Sequence, residues 1–218
     1  MDFRDKKPAS CTQPRTRPRR RPSKRAPELL RTVATTHKGK RLRVVFEDET
    51  RIGQKGRVCH RWYPKGERPP GLADNRFTFA YLFAACEAGT DNAFALVLPE
   101  VSTRAMQLFL DAYAQTIKPD EHVIMFMDQA GWHVAKALAV PENITIATLP
   151  AYSPELNPVE RVWLYLKERF LSHRLLDDYD AIVEAACAAW NRLLASPGRL
   201  ASLTCYGWPD RLAEMVAN

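Results

Sequence analysis

No two of the five cysteines, at positions 11, 59, 86, 187 and 205, stand close enough to make a CxxC pair. Neither a zinc knuckle nor a disulfide framework is therefore encoded, and a reducing cytosol is the expected setting. Long apolar runs are also missing. The longest strongly apolar stretch lies near Phe77 to Cys86, well short of the roughly 20 residues a membrane helix needs. The basic N-terminus leads into no apolar segment, which excludes a secretory signal and leaves no membrane partner in view. No internal repeat is visible. What remains is ordinary for a globular chain: 218 residues, 46% hydrophobic and 26% charged. That is one large domain or one and a half small ones, and not a collagen, a coiled coil or a wholly disordered polypeptide.

A net excess of one charge sign is lacking over the chain as a whole once the first thirty residues are set aside. Residues 1–30 carry ten Lys and Arg against three acids, and this accounts for the whole formal net charge of +7. The remaining 22 basic and 22 acidic residues cancel. Pro8, Pro14, Pro18, Pro22 and Pro27 punctuate the leader, which predicts a disordered basic arm over residues 1–38. Such an arm suits a phosphate backbone, since each cation can displace a condensed counterion; it also suits a plain linker. A second basic stretch holds Arg51, Lys55, Arg57, Arg61, Lys65 and Arg68 against the single acid Glu67, with His60, Trp62 and Tyr63 interleaved. Basic and aromatic residues on one hairpin fit nucleic acid, and equally a solvated hairpin whose Trp62 covers a core edge.

Hydrophobic periodicity supplies the elements. Strands are expected at Arg41–Asp48, Gly56–Tyr63, Arg76–Cys86, Ala93–Leu98, Val123–Met127 and Ile144–Leu149, and Val123–Met127 is apolar enough to be buried on both faces. Helices are expected at Ser102–Ile117, Pro158 to about Arg174, and Asp180–Leu194. Antiparallel strands come first and parallel crossovers later, which predicts an α/β domain over residues 39–210, with 211–218 as a tail. The ribonuclease-H-like fold, a mixed five-stranded sheet flanked by helices, has this order.

Three carboxylates fall where elements begin or end. Asp48 is expected to close the first strand, Asp128 the buried strand, and Glu160 to open the helix after the last strand. Ligands gather beyond strand ends at a switch in strand order, and in this fold the first and fourth strands are neighbours. Converging carboxylates repel unless a cation lies between them. An all-oxygen donor set favours Mg²⁺ or Mn²⁺ over zinc, and two such ions suit phosphodiester cleavage. Each acid has a second reading. Glu160 fits a capping box with Asn157 as N-cap and Pro158 at N1, Asp128 fits a turn, and Asp48 sits between Glu47 and Glu49.

FEDETRIGQKGR (46–57), FMDQAGWH (126–133) and LPAYSPELNPVERVW (149–163) resemble the three catalytic blocks of bacterial insertion-sequence transposases, in the insertion sequence 630 family of the Tc/mariner superfamily. The third block is the most specific, a proline- and tyrosine-rich loop followed by Asn-Pro-Val-Glu entering a helix with Trp163. The resemblance runs from about Arg41 to about Trp208. It implies a DDE endonuclease whose acids fall on Asp48, Asp128 and Glu160, the last two 32 positions apart. Hydrolysis at a transposon end would be followed by attack of the freed 3′-hydroxyl on target DNA, typically at a TA dinucleotide. It further implies metal ligation by the same three acids and DNA as partner. Members of this type usually work as dimers on paired ends. Arg51, Lys55, Arg57 and Arg61 would hold the DNA backbone, and His133 would touch DNA or a catalytic carboxylate, unless it is an ordinary helix-start histidine. Asn157 and Tyr152 would shape the loop before Glu160. Full-length members carry N-terminal helix-turn-helix modules that read the transposon ends. About forty residues before the first strand are too few for one, so an isolated catalytic domain is expected. A nuclease that does not join strands and an inactive DNA-binding fragment are the alternatives.

Overall fold

The computed structural model describes residues 25–54, 64–67, 76–131, 137–172 and 174–217. The elements run α1 (Arg25–Thr36), β1 (Arg41–Gly53), β2 (Phe79–Glu87), β3 (Ala93–Leu98), α2 (Thr103–Ala114), β4 (Glu121–Met127), β5 (Ile144–Thr148), α3 (Val159–Leu166), α4 (Tyr179–Leu194), α5 (Arg199–Thr204) and α6 (Trp208–Ala217). Among the described residues, five strands form one sheet in the order β3-β2-β1-β4-β5. β1 pairs antiparallel with β2, and β2 with β3. β1 pairs parallel with β4, and β4 with β5. This is the mixed sheet of the ribonuclease-H-like fold. No helix among the described residues is long and apolar enough to cross a membrane.

The sheet divides two cores. All seven residues of β4 are buried, as a central parallel strand covered on both faces requires. On one face, Val45, Phe83, Val123 and Met125 pack against Met106, Phe109, Leu110 and Tyr113 of α2. That helix starts cleanly because the Ser102 side chain accepts from the Ala105 N–H at 3.1 Å, satisfying one otherwise unpaired donor. On the other face, Val44, Phe46, Ile124 and Phe126 meet the larger core supplied by α1 and α3 to α6.

Several elements differ from the sequence expectation. β1 does not stop at Asp48: Thr50, Ile52 and Gly53 continue the ladder opposite Leu82, Ala80 and Phe79. Gly53 lets the strands close there, since a Cβ would strike Phe79 and the Thr78 carbonyl. The leader expected to lack structure as far as residue 38 folds from Arg25 onward. Ala26, Leu30 and Val33 form a buried stripe at i, i+4 and i+7, and Pro27 sits in the first turn, where its missing N–H costs nothing. The expected tail at 211–218 instead belongs largely to α6, with Leu212 buried. The helix expected to run to about Arg174 ends at Leu166 and continues as a π-turn over Lys167–Leu171. The strand expected at Gly56–Tyr63 and the leader residues 1–24 lie outside the described residues.

Candidate active site

Two residues past the last β1–β4 pair, Phe46 with Phe126, come Asp48 and Asp128. The parallel register thus carries both acids to the same level, beyond the C-terminal end of β4. Strand alternation gives Asp48 the face of Val44 and Phe46, toward α3, and gives Glu47 and Glu49 the other face. Asp48 is therefore the member of the Glu47-Asp48-Glu49 trio that meets α3. The indole N–H of buried Trp163 donates to Asp48 Oδ2 at 2.9 Å. Asp128 is exposed, and its Oδ1 accepts from the Ala130 N–H at 2.8 Å. This Asx turn is the bland role expected of Asp128, and it also fixes the carboxylate at the cleft.

Glu160 stands exposed on the first turn of α3. A capping box does not use it, because the Asn157 N–H donates to the Pro154 carbonyl at 2.9 Å. Asn157 is a two-way clamp. Its Nδ2 donates to the Glu47 carbonyl at 2.9 Å, and its Oδ1 accepts from the Val159 N–H at 3.2 Å. One buried side chain thus ties the strand that bears Asp48 to the helix that bears Glu160.

The three acids line one cleft of about 390 Å³, together with Gln129 and the loop from Leu149 to Pro154. They feel one another. Burial, then the charges of Glu160 and Glu49, hold the Asp48 carboxyl well above the usual carboxylate range, and the Trp163 hydrogen bond opposes that rise. The Glu160 carboxyl is also raised, first by partial burial and then by Asp128 and Glu49, with Lys167 pulling the other way. Among the described residues no three His, Cys, Asp or Glu side chains are drawn together tightly enough to form a finished metal site.

The loop before Glu160 is held from several sides. The Leu149 N–H donates to the Met127 carbonyl at 2.8 Å, and Gln129 Nε2 to the Leu149 carbonyl at 2.8 Å. The Tyr206 hydroxyl donates to the Glu155 carbonyl at 3.2 Å, and the Trp208 indole to the Leu156 carbonyl at 3.1 Å. The sequence reading missed these anchors. Trp163 was expected only as part of the helix after Glu160, and Trp208 was given no role. The available signal was the indole itself, since a buried Trp must place its N–H: on a carboxylate at Trp163 and on a carbonyl at Trp208.

Of the expected DNA contacts, Arg51 is exposed at the end of β1 with its guanidinium 4.3 Å from the centre of the Phe79 ring. It does not line the cleft. Lys55, Arg57, Arg61 and His133 lie outside the described residues.

A ribonuclease-H-like sheet with acids gathered at the β1–β4 end defines a nucleic-acid phosphoryl-transfer class. The chain belongs to the DDE superfamily endonucleases, whose family pattern matches residues 43–183. It is 43% identical over 133 residues to the uncharacterized protein y4pE/y4sA of Sinorhizobium fredii, covering 61% of this chain and 98% of that one. Its fold is similar to a Mos1 transposase paired-end complex with left transposon end: TM-score 0.61, 22% identity, over 89% of this chain and 60% of that one. It is also similar to the Mos1 mariner paired-end complex with Mn: TM-score 0.57, 18% identity, over 88% and 60%. The chain thus spans about 60% of the length of these transposase chains.

Proposed function

We propose that this chain is the catalytic domain of a Tc/mariner-type DNA transposase, of the insertion sequence 630 kind, with Asp48, Asp128 and Glu160 as its catalytic acids. The observation that carries the reading is the common cleft. A parallel register, an Asx turn and a helix start bring three carboxylates, distant in sequence, to one wall, where Glu160 raises the proton affinity of Asp48 and Asp128 raises that of Glu160.

The donors suit a hard divalent cation, Mg²⁺ or Mn²⁺, because they are all carboxylate oxygens whose mutual repulsion a cation relieves. Asp48, Asp128 and Glu160 would hold it, two ions being the arrangement suited to in-line displacement. When bound, the metal supplies Lewis-acid stabilisation of the scissile phosphate. The chain does the positioning. Trp163 fixes one oxygen of Asp48, the Ala130 N–H fixes one of Asp128, and Asn157 sets the spacing between β1 and α3. Glu160, exposed and less tightly held, completes the set. The nucleophile needs no covalent enzyme intermediate: water for cleavage, a DNA 3′-hydroxyl for joining. The substrates are transposon ends and a TA-containing target, handled by a homodimer, with Arg51, Lys55, Arg57, Arg61 and His133 as DNA contacts.

The test is a strand-transfer assay. A labelled oligonucleotide with a 3′-hydroxyl is incubated with supercoiled plasmid and Mg²⁺ or Mn²⁺, for wild type and Asp128→Asn. Metal-dependent nicking and joined product, both falling by about 10²-fold or more in Asp128→Asn, are expected. Nicking without joined product would favour a plain nuclease. Binding with neither activity in both proteins would leave an inactive DNA-binding fragment.

A further inference from the structure

Tyr152 is the one described non-glycine residue with positive φ, at 56°. A bulky side chain seldom occupies that region, because its Cβ crowds the following carbonyl. The ring is also 89% exposed, the highest value among the exposed large hydrophobic residues described. Folding alone explains neither property. The position tolerates glycine on conformational grounds, and the exposed ring gains little burial. Yet the surroundings are firm. Ser153 next to it is buried, the Leu156 and Asn157 N–H groups close a 3₁₀ turn, and Tyr206 and Trp208 grip the carbonyls of Glu155 and Leu156. A rigid loop therefore holds an aromatic face out to solvent, on the wall of the cleft that contains Asp48, Asp128 and Glu160.

We infer that Tyr152 is a stacking platform for an unpaired nucleobase adjacent to the scissile phosphate, an inference that rests on the reading of this cleft as a DNA-cleaving site. A phosphate placed at the three acids brings its neighbouring nucleotide against the wall that carries Tyr152. A base inside a duplex is already stacked on both faces and offers no free π-face, so the partner is a base that has left the helix or stands at a frayed end. Stacking on an aromatic ring accepts any base. The ring therefore selects for an opened helix and not for sequence. Strain is commonly retained where the residue contacts a ligand, and the left-handed backbone is what turns this ring out of the loop.

The test uses the full chain and two DNA duplexes, one fully paired and one with 2-aminopurine opposite an abasic site beside a nick. Tyr152→Gly relieves the positive φ and keeps the fold; Tyr152→Phe keeps the ring. Wild type and Tyr152→Phe should bind the opened duplex more tightly than the paired one and quench its 2-aminopurine fluorescence. Tyr152→Gly should bind the opened duplex about tenfold more weakly, lose the quench, and bind paired DNA as wild type does. Equal preference for opened DNA in wild type and Tyr152→Gly, with intact metal-dependent nicking, overturns the stacking role and leaves the endonuclease reading standing. Absence of DNA binding and nicking in wild type overturns both.

Discussion

Trp163→Phe removes a single donor from the cleft wall. In the wild-type protein the indole N–H lies 2.9 Å from Asp48 Oδ2, and Trp163 is only 3% exposed. The hydrogen bond is worth about 1–3 kcal/mol, the upper part of that range where Asp48 is ionised, and the lost ring carbons cost roughly another 1 kcal/mol. Together these predict about 2–4 kcal/mol of destabilisation at neutral pH, read by urea unfolding. The gap depends on pH in a definite direction. The folded-state pKa of Asp48 is raised by burial and by Glu160 and Glu49. Its contribution to stability is therefore present at acid pH and lost as pH rises through that raised value. Removing the N–H that favours the ionised form enlarges the loss. The stability difference between wild type and variant should then widen on going from acid to neutral pH.

Cleavage should fall about 10–100-fold, as happens when a partner that orients a metal ligand is removed. Trp190→Phe is the matched control. Trp190 lies against Trp163 with ring centroids 6.4 Å apart in the same core, so its substitution costs similar volume without touching Asp48. It should reduce stability but leave cleavage per folded molecule near wild type. Equal cleavage rates and equal cation requirements in Trp163→Phe and Trp190→Phe would refute the positioning role of the indole.

Three further outcomes are expected. Buried His122 stacks on His37 at 3.6 Å, and its Nε2 lies 2.8 Å from Thr145 Oγ1; burial, His37 and Lys40 lower its pKa to about 4. Its stabilising contribution is full above about pH 6.5 and disappears as pH falls through 4, no more than about 3 kcal/mol in all, so thermal melts of His122→Gln should show a flatter acid limb than wild type. Arg43→Met leaves Glu87 and Glu121, which the guanidinium holds at 2.7 and 3.0 Å, without that cation at the far end of the sheet; a loss of about 3–5 kcal/mol is expected by denaturation. Trp208→Ala deletes an indole packed edge-on to Phe46 at 5.4 Å and Phe126 at 5.8 Å and hydrogen-bonded to Leu156; about 3–5 kcal/mol should be lost, and hydrogen exchange should quicken over the 149–156 loop.

The β-sheet was legible because strand burial is periodic. Ala93–Leu98 is bounded as expected, and the unbroken apolar run at 123–127 is the doubly covered β4. That Asp48, Asp128 and Glu160 line one cleft was legible from their places relative to such strands. What escaped has particular causes. Asp48 was expected at a strand end, but β1 has two partners of different lengths: β4 stops pairing at Phe46 while β2 continues to Gly53. The acid is terminal to one ladder and internal to the other, and no single-strand pattern encodes that. In α1 Pro27 was read as a breaker, although it falls in the first turn, where proline is compatible with a helix. The N–H of Trp163 on Asp48, and the clamp made by Asn157, join residues more than a hundred positions apart, and local spacing carries no trace of them.

The grip of Trp208 on the Leu156 carbonyl also bears on timing. The chain emerges from the ribosome with β1, β4 and the carboxylates ahead of α6. Until residues 208–217 follow, the carbonyl of Leu156 lacks its indole donor and the aromatic pair Phe46 and Phe126 lacks its edge-on cover. A nascent chain therefore carries all three acids before it carries the brace for the loop that leads to Glu160. The loop that leads to Glu160 is thus braced last, after every strand of the sheet has been made.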